Sequence, residues 1–272
     1  MSHVHDLFRK VIGEKQDLSP RSTEVIPETM AKTFDLQDIP MVEAHIRPDS
    51  RIVCQTAPNS PAADRFRALR MQLRELRGAG KVKRLLISSA LPHDGKSTVA
   101  LNLATALSER GKRTVLLIEG DLHHSHLARH LGLDAWDGLT ECLDSGINPL
   151  SAIRRVEPLG WYFLPAGSSR SNATELLQSA TLSGVMQKLS PYFDWILIDS
   201  PPVLPLTDAL SLQRQTDAYL LVVRAEQTPR EAVEAAVALL GKQQLLGIIL
   251  NGAEGLDRLY SSYGYHGTYG IK

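Results

Sequence analysis

The hydrophobic pattern of the chain changes character near residue 83. Beyond it, short apolar runs alternate with longer stretches whose apolar residues recur every three or four positions. "RLLISS", "RTVLLIEG", "DWILIDS", "DAYLLVV" and "LLGIILN" are strand-length runs, and "GWYFLPAG" is a weaker one. "KSTVALNLATALSER" and "PREAVEAAVALLGK" have helical spacing. Near-continuous apolar strands separated by amphipathic helices predict an α/β fold, a mostly parallel central sheet with helices on both faces. In such sheets the ligand sits at the carboxyl ends of the strands.

Upstream, "SPAADRFRALRMQLRELR" predicts a helix over 61–77. Ser60 suits the N-cap and Pro61 the first turn. Phe66, Leu69, Leu73 and Leu76 share one face; Asp64, Arg67 and Arg70 line the adjoining flank, where the bland reading is a solvated helix face. Gly78 and Gly80 stop the helix. Residues 1–58 are dotted with prolines and read as an arm or linker, partly disordered, with a short helix at 6–12. The expected organisation is therefore the arm, an α/β domain over 59–256 that opens on the 61–77 helix, and a flexible tail over 257–272.

Composition adds little to this. The chain has 272 residues, 43% hydrophobic and 22% charged, with zero formal net charge. That is ordinary globular usage and gives no reason to expect nucleic acid or an acidic membrane as partner. Cys54 and Cys142 lie far apart and fit no metal or redox spacing, so a reducing cytoplasm is expected. "MSHVHDLFRK" lacks the apolar core of a signal peptide, and no run approaches the roughly 20 apolar residues of a spanning helix.

Candidate chemistry begins at "SSALPHDGKST", between the first core strand and the first core helix. Ala90, four residues, then Gly95-Lys96-Ser97 fits a phosphate-binding loop with Ala for the first Gly. A turn there points backbone N–H groups at an anion, and the helix N-terminus adds its positive dipole end. The loop residues Ala90, Pro92, His93, Asp94 and Gly95 would surround the phosphates. Lys96 would reach the β- and γ-phosphates, Ser97 would hold Mg²⁺, and Thr98 would add a phosphate contact. Carboxylates are expected opposite. "ILIDSPP" places Asp199 at a strand end, where it would hold Mg²⁺. "LLIEGDLHH" places Glu119 and Asp121 two apart, so both can face one site. Asp208, in "LPLTDAL", reads equally as a helix-start acid or as a group facing Asp199. His123, His124, His126 and His130 read as exposed helix-start histidines rather than a metal set, since no HExxH or nearby cysteine accompanies them.

In order, "ALPHDGKST", "VLLIEGDL", "LPAGSSRSNATELLQS", "ILIDSPPVLPLTDAL", "GIILN" and the tyrosine-rich "LYSSYGYHGTYGIK" resemble the cytoplasmic domain of the bacterial tyrosine kinases of capsule and exopolysaccharide synthesis. The resemblance covers about residues 50–272 and implies a MinD/ParA-like P-loop NTPase fold, Mg·ATP as cofactor and substrate, and autophosphorylation of the tail. Lys96, Glu119, Asp121 and Asp199 would be the catalytic set, with Ser97, Asp121 and Asp199 on the metal and Asn251 at the adenine base. Tyr260, Tyr263, Tyr265 and Tyr269 would be the phosphoacceptors. Asp64, Arg67 and Arg70 occupy the family's E-x-x-R-x-x-R spacing, with Asp for Glu, and would drive ring-like self-assembly. A separate membrane adaptor of the polysaccharide chain-length determinant type would recruit the protein.

The chain departs from the family pattern at Glu119, where Asp is usual, and at His123, where a basic residue is usual. A carboxylate displaced by one methylene bears on speed of catalysis more than on nucleotide binding. Two other readings use the same fold. One is an ATP-binding scaffold that phosphorylates poorly. The other is a positioning ATPase, although Leu91 stands where those relatives carry an early loop lysine, and the last residues here are rich in Gly and Tyr where those relatives can carry an amphipathic membrane helix.

Overall fold

The computed structural model describes residues 34–80, 82–204 and 207–253. The tail tyrosines and the short helix expected at 6–12 lie outside the described residues.

The strands are β1 (Met41–Glu43), β2 (Arg84–Ser89), β3 (Val115–Glu119), β4 (Arg154–Glu157), β5 (Trp161–Leu164), β6 (Trp195–Asp199), β7 (Ala218–Arg224) and β8 (Leu245–Asn251). They form one sheet in the order β1-β4-β5-β3-β6-β2-β7-β8. Every neighbouring pair is parallel except β4 with β5. The helices that matter to the site are α1 (Pro61–Gly78), α2 (Lys96–Ser108), α3 (Leu139–Asp144), α4 (Ala173–Gln178), α5 (Ala180–Leu189), α6 (Asp208–Gln213) and α7 (Arg230–Leu240).

The continuous apolar runs become the central strands because both of their faces are covered. On one face Leu85, Ile87, Val115, Leu117, Trp195, Leu197, Leu220 and Val222 join a core with Val99, Leu103 and Leu107 of α2. Their alternates Leu86, Leu116, Ile118, Ile196 and Ile198 are 0–1% exposed, so the second face is equally dry. Helix α1 runs one residue beyond its expected end. Ser60 Oγ accepts from the Ala63 amide at 3.2 Å, and Phe66, Leu69 and Leu76 pack on the α2 side of the core.

The arm reading needs correction over its second half. Residues 41–43 form β1, an edge strand paired in parallel with β4. Pro40, just before it, accepts the Arg155 amide at 2.9 Å and loses nothing by lacking an N–H. Buried Asn102 of α2 clamps the next turn, accepting from the Cys54 amide at 3.0 Å and donating to Arg51 O at 2.8 Å. A three-residue strand is too short to leave a period in the sequence. Cys54 and Cys142 are both free, and burial pushes both thiols up to about 11. Among the described residues no helix is long and apolar enough to cross a membrane.

Candidate functional site

Topology gathers the expected residues. Strands β2 and β3 lie on either side of β6, and the parallel register sets both Glu119 and Ile87 level with Asp199. With strands about 4.8 Å apart, the ends of β3, β6 and β2 fall within about 10 Å of one another. The chain order turns back at this point, which opens the crevice.

After β2 the chain passes through residues 90–95 and enters α2 at Lys96. Two left-handed residues shape the turn, His93 at φ 67° and Gly95 at φ 97°. Asp94 is buried and braces the loop from within. Its Oδ2 accepts from the Leu91 amide at 3.0 Å and its Oδ1 from Thr228 Oγ1 at 2.7 Å. Its carbonyl accepts from Asn251 Nδ2 at 2.9 Å. Ala90 is buried beneath the loop, while Pro92 and His93 form an exposed rim. Asp94 and Asn251, both expected at the nucleotide, thus hold the loop's backbone in this state. Thr228, which sequence reasoning missed, anchors Asp94 from the start of α7; a Thr-Pro pair before a helix carries no signal for that contact.

Gly95 admits no side chain. A Cβ there would stand 2.0 Å from Asn251 Nδ2, at a φ that L-residues rarely adopt. Gly95→Ala is expected to weaken nucleotide binding at least about tenfold, since about 1–2 kcal/mol of backbone strain adds to the displacement of Asn251. A fluorescent-nucleotide titration measures it.

Asp199 is the most constrained acid. It is 2% exposed; its Oδ2 accepts from Ser97 Oγ at 2.7 Å, and its Oδ1 has no hydrogen-bond partner among the described residues. Burial pushes its carboxyl up to about 7, while Lys96 and Ser97 pull it down and Glu119 and Asp121 push it further up. Lys96 Nζ stands 3.7 Å from Asp121 Oδ2, and Asp121 Oδ1 accepts from the His124 amide at 3.0 Å.

Glu119 and Asp121, expected to face one site together, have different partners. Glu119 Oε1 accepts from the His126 and Leu127 amides at 2.6 and 2.7 Å, and Oε2 from the Ala166 amide at 3.2 Å. Burial pushes this carboxyl up as well, against those amides. The additional methylene gives Glu119 the reach to tie the loop after β3 to the loop after β5. A second acid fixes the same loop: Glu141 of α3 accepts from the Gly138 and Ser168 amides at 2.7 and 3.0 Å.

The site's charge balance suits a hard cation. Two carboxyl groups, Asp121 and Asp199, share the influence of one ammonium, Lys96, and a buried carboxylate oxygen without a donor lies beside a serine hydroxyl. Ser97 and Asp199 are the pair that could hold Mg²⁺, which commonly binds through one or two protein oxygens, waters and substrate phosphates. Among the described residues no three His, Cys, Asp or Glu side chains form a metal cage.

His123 Nε2 lies 3.0 Å from Asp208 Oδ2 and 3.4 Å from Thr174 Oγ1, so Asp208, at the start of α6, faces His123. Of the other histidines, His124 and His126 stack at 6.4 Å and are exposed. Thr98 sits in the first turn of α2, where its carbonyl accepts from Asn102. On α1, Arg67 pairs with Asp64 of its own helix, and Arg70 Nη1 donates to Ala106 O at 3.3 Å. The flank is therefore partly engaged within the chain, and Arg70 is docked on α2 rather than solvated.

A family model described as an AAA domain matches residues 93–246. The chain is 31% identical over 224 residues to tyrosine-protein kinase YwqD of Bacillus subtilis (strain 168), covering 82% of this chain and 93% of that protein. It is 32% identical over 204 residues to tyrosine-protein kinase ptk of Acinetobacter johnsonii, covering 75% of this chain but 27% of that longer protein. The kinase domain of Escherichia coli tyrosine kinase ETK superposes with a TM-score of 0.70 at 25% identity, over 74% of this chain and 79% of that one. With a P-loop between β2 and α2, acids at the ends of β3 and β6, and this likeness along most of its length, the chain belongs to the bacterial tyrosine-protein kinase family.

Proposed function

We propose that the protein is an ATP-dependent tyrosine autokinase that phosphorylates its own C-terminal tyrosine cluster. The observation that carries this reading is the convergence of Lys96, Ser97, Asp121 and Asp199 around the mouth of the loop. Lys96 and the loop amides would offset charge on the transferred phosphoryl group. Ser97 and Asp199 would hold Mg²⁺, which neutralises the β- and γ-oxygens when bound. Asp121 would orient the tyrosine hydroxyl and take its proton as the phenolic oxygen bonds to phosphorus and the bond to ADP breaks. A phenol pKa near 10 makes such a base useful at neutral pH. Glu119 would act at one remove, by fixing the loops that flank Asp121.

The acceptors would be Tyr260, Tyr263, Tyr265 and Tyr269, presented by a glycine- and serine-rich segment to a neighbouring subunit in a ring-like oligomer. The Asp64/Arg67/Arg70 flank would form part of that contact, with Arg67 exchanging its internal partner for one on the neighbour. A membrane adaptor of the chain-length determinant type would bring this cytoplasmic protein to the membrane, where it would regulate capsule or exopolysaccharide synthesis and export. The names of YwqD and ptk support the kinase part of this reading.

A second reading, an ATP-binding scaffold with little kinase activity, is favoured by one observation: Glu119 spends its carboxylate on three backbone amides. Incubation with Mg·ATP and the cognate activator, followed by mass-spectrometric phosphosite mapping, separates the two. Phosphotyrosine confined to the tail, absent from Lys96→Met, is the expected result. An unmodified tail beside intact ATP binding leaves the scaffold.

A further inference from the structure

Asp199 closes strand β6 at the nucleotide site; Trp195 opens it about 13 Å away, four residue rises along the strand. Around Trp195 lies a cavity of about 270 Å³ lined by Arg74, Arg77, Glu109, Arg113 and Asp194. Nucleotide and cofactor sites generally exceed this size, so the cavity suits a single charged side chain.

Its charges are not balanced. Asp194 is engaged at both oxygens: Oδ1 accepts from Arg77 Nη2 at 3.2 Å, and Oδ2 from the amide and hydroxyl of Thr114 at 3.1 and 3.3 Å. Glu109 is matched by Arg74 at 3.1 Å. The exposed Arg113 side chain has no ion pair or hydrogen bond among the described residues, and exposed Arg110 and Lys112 stand beside it in the sequence. One uncompensated guanidinium remains, with unused donors on the other two. Arg77 is held in place, its guanidinium 5.6 Å over the Trp195 ring, so its planar fork is pre-organised. One guanidinium fork held in place beside an uncompensated one, around a side-chain-sized cavity, is an arrangement that suits a phosphate monoester.

We infer that this cavity is a phosphotyrosine site, and that its occupant is the phosphorylated tail of this same chain, residues 257–272. The inference rests on the proposed autophosphorylation, which would create up to four phosphotyrosines, each carrying about −1.5 to −2 charge. The segment beyond residue 253 can extend roughly 60 Å, enough to reach the far end of a sheet. Capture there would draw a finished tail away from the nucleotide site, where acids repel it, and would leave that site open to the next acceptor.

The test uses a labelled synthetic peptide of residues 257–272 with phosphotyrosine at Tyr265. Its host is the full-length protein with the four tail tyrosines changed to Phe. Fluorescence anisotropy is expected to show the phosphopeptide binding at least about tenfold more tightly than the unmodified peptide. Arg113→Ala should remove about tenfold of that affinity, Arg113→Lys should restore part of it, and Lys96→Met should leave it unchanged. Equal binding by Arg113→Ala overturns the site, as does a loss confined to Lys96→Met, which would place the peptide at the nucleotide site. Displacement by inorganic phosphate at the peptide's own concentration also overturns it, because a free anion would then suffice. Since the peptide is supplied already phosphorylated, a chain without kinase activity would still bind it. Failure of the proposed function and failure of this site are therefore separate outcomes.

Discussion

Asp199→Asn is expected to make the nucleotide-free protein more stable and to abolish phosphotransfer. The carboxyl moves from an ordinary value of 3.8 to about 7 on folding, because burial outweighs the help of Lys96 and Ser97. Between those values the folded chain holds a proton that the unfolded chain has released, so stability falls as pH rises through the window. Above it the cost is complete, about 4 kcal/mol. An asparagine keeps the acceptor for Ser97 Oγ and carries no charge, though its amide group is buried without a partner of its own. The expected net gain is about 1–3 kcal/mol at pH 8, shrinking toward zero at pH 5, where the native acid is neutral. Phosphotransfer should fall by about 100- to 1,000-fold or more, as when one pre-organised stabilising group is lost. Thermal melts at both pH values, with a phosphotransfer assay, measure the pair of effects. A variant destabilised equally at both would contradict the buried-charge argument.

Glu119→Ala is expected to be the most damaging single change to the architecture of the site. It leaves the His126, Leu127 and Ala166 amides without an acceptor and opens a cavity between two loops. Removing a desolvated carboxyl returns part of the loss, so about 2–4 kcal/mol of destabilisation should remain. Glu119→Gln should cost much less, since its carbonyl can still serve His126 and Leu127 and only the Ala166 contact is spoiled. Denaturant midpoints rank the two variants. If Glu119 acted directly on the tyrosine instead, both changes would remove activity while leaving the midpoints close to wild type.

The fold was legible where a periodic pattern ran long enough to read. β2 and β8 occupy the expected residues, α1 runs one residue further, and the P-loop stands between strand and helix as its spacing requires. The parts that were not legible are short or depend on partners distant in sequence. β1 has three residues and is defined by its pairing with β4, more than a hundred residues on. At the site, residue types and spacing located the acids but not what each one touches. Glu119 and Asp121 share a strand end, yet amides from residues 126, 127 and 166 claim the first while Lys96 approaches the second. Asp94 and Thr228 meet only because β7 lies beside β2.

Two inactive forms mixed together test the central proposal most directly. Lys96→Met retains its tail but lacks the loop lysine, and the four-Tyr→Phe form retains its site but lacks acceptors. Incubated together with Mg·ATP and the cognate activator, they should yield phosphotyrosine on the tail of the Lys96→Met chains and none when either is incubated alone. No phosphotyrosine in the mixture, under conditions where the wild-type protein labels its tail, would contradict transfer from one subunit's site to another's tail.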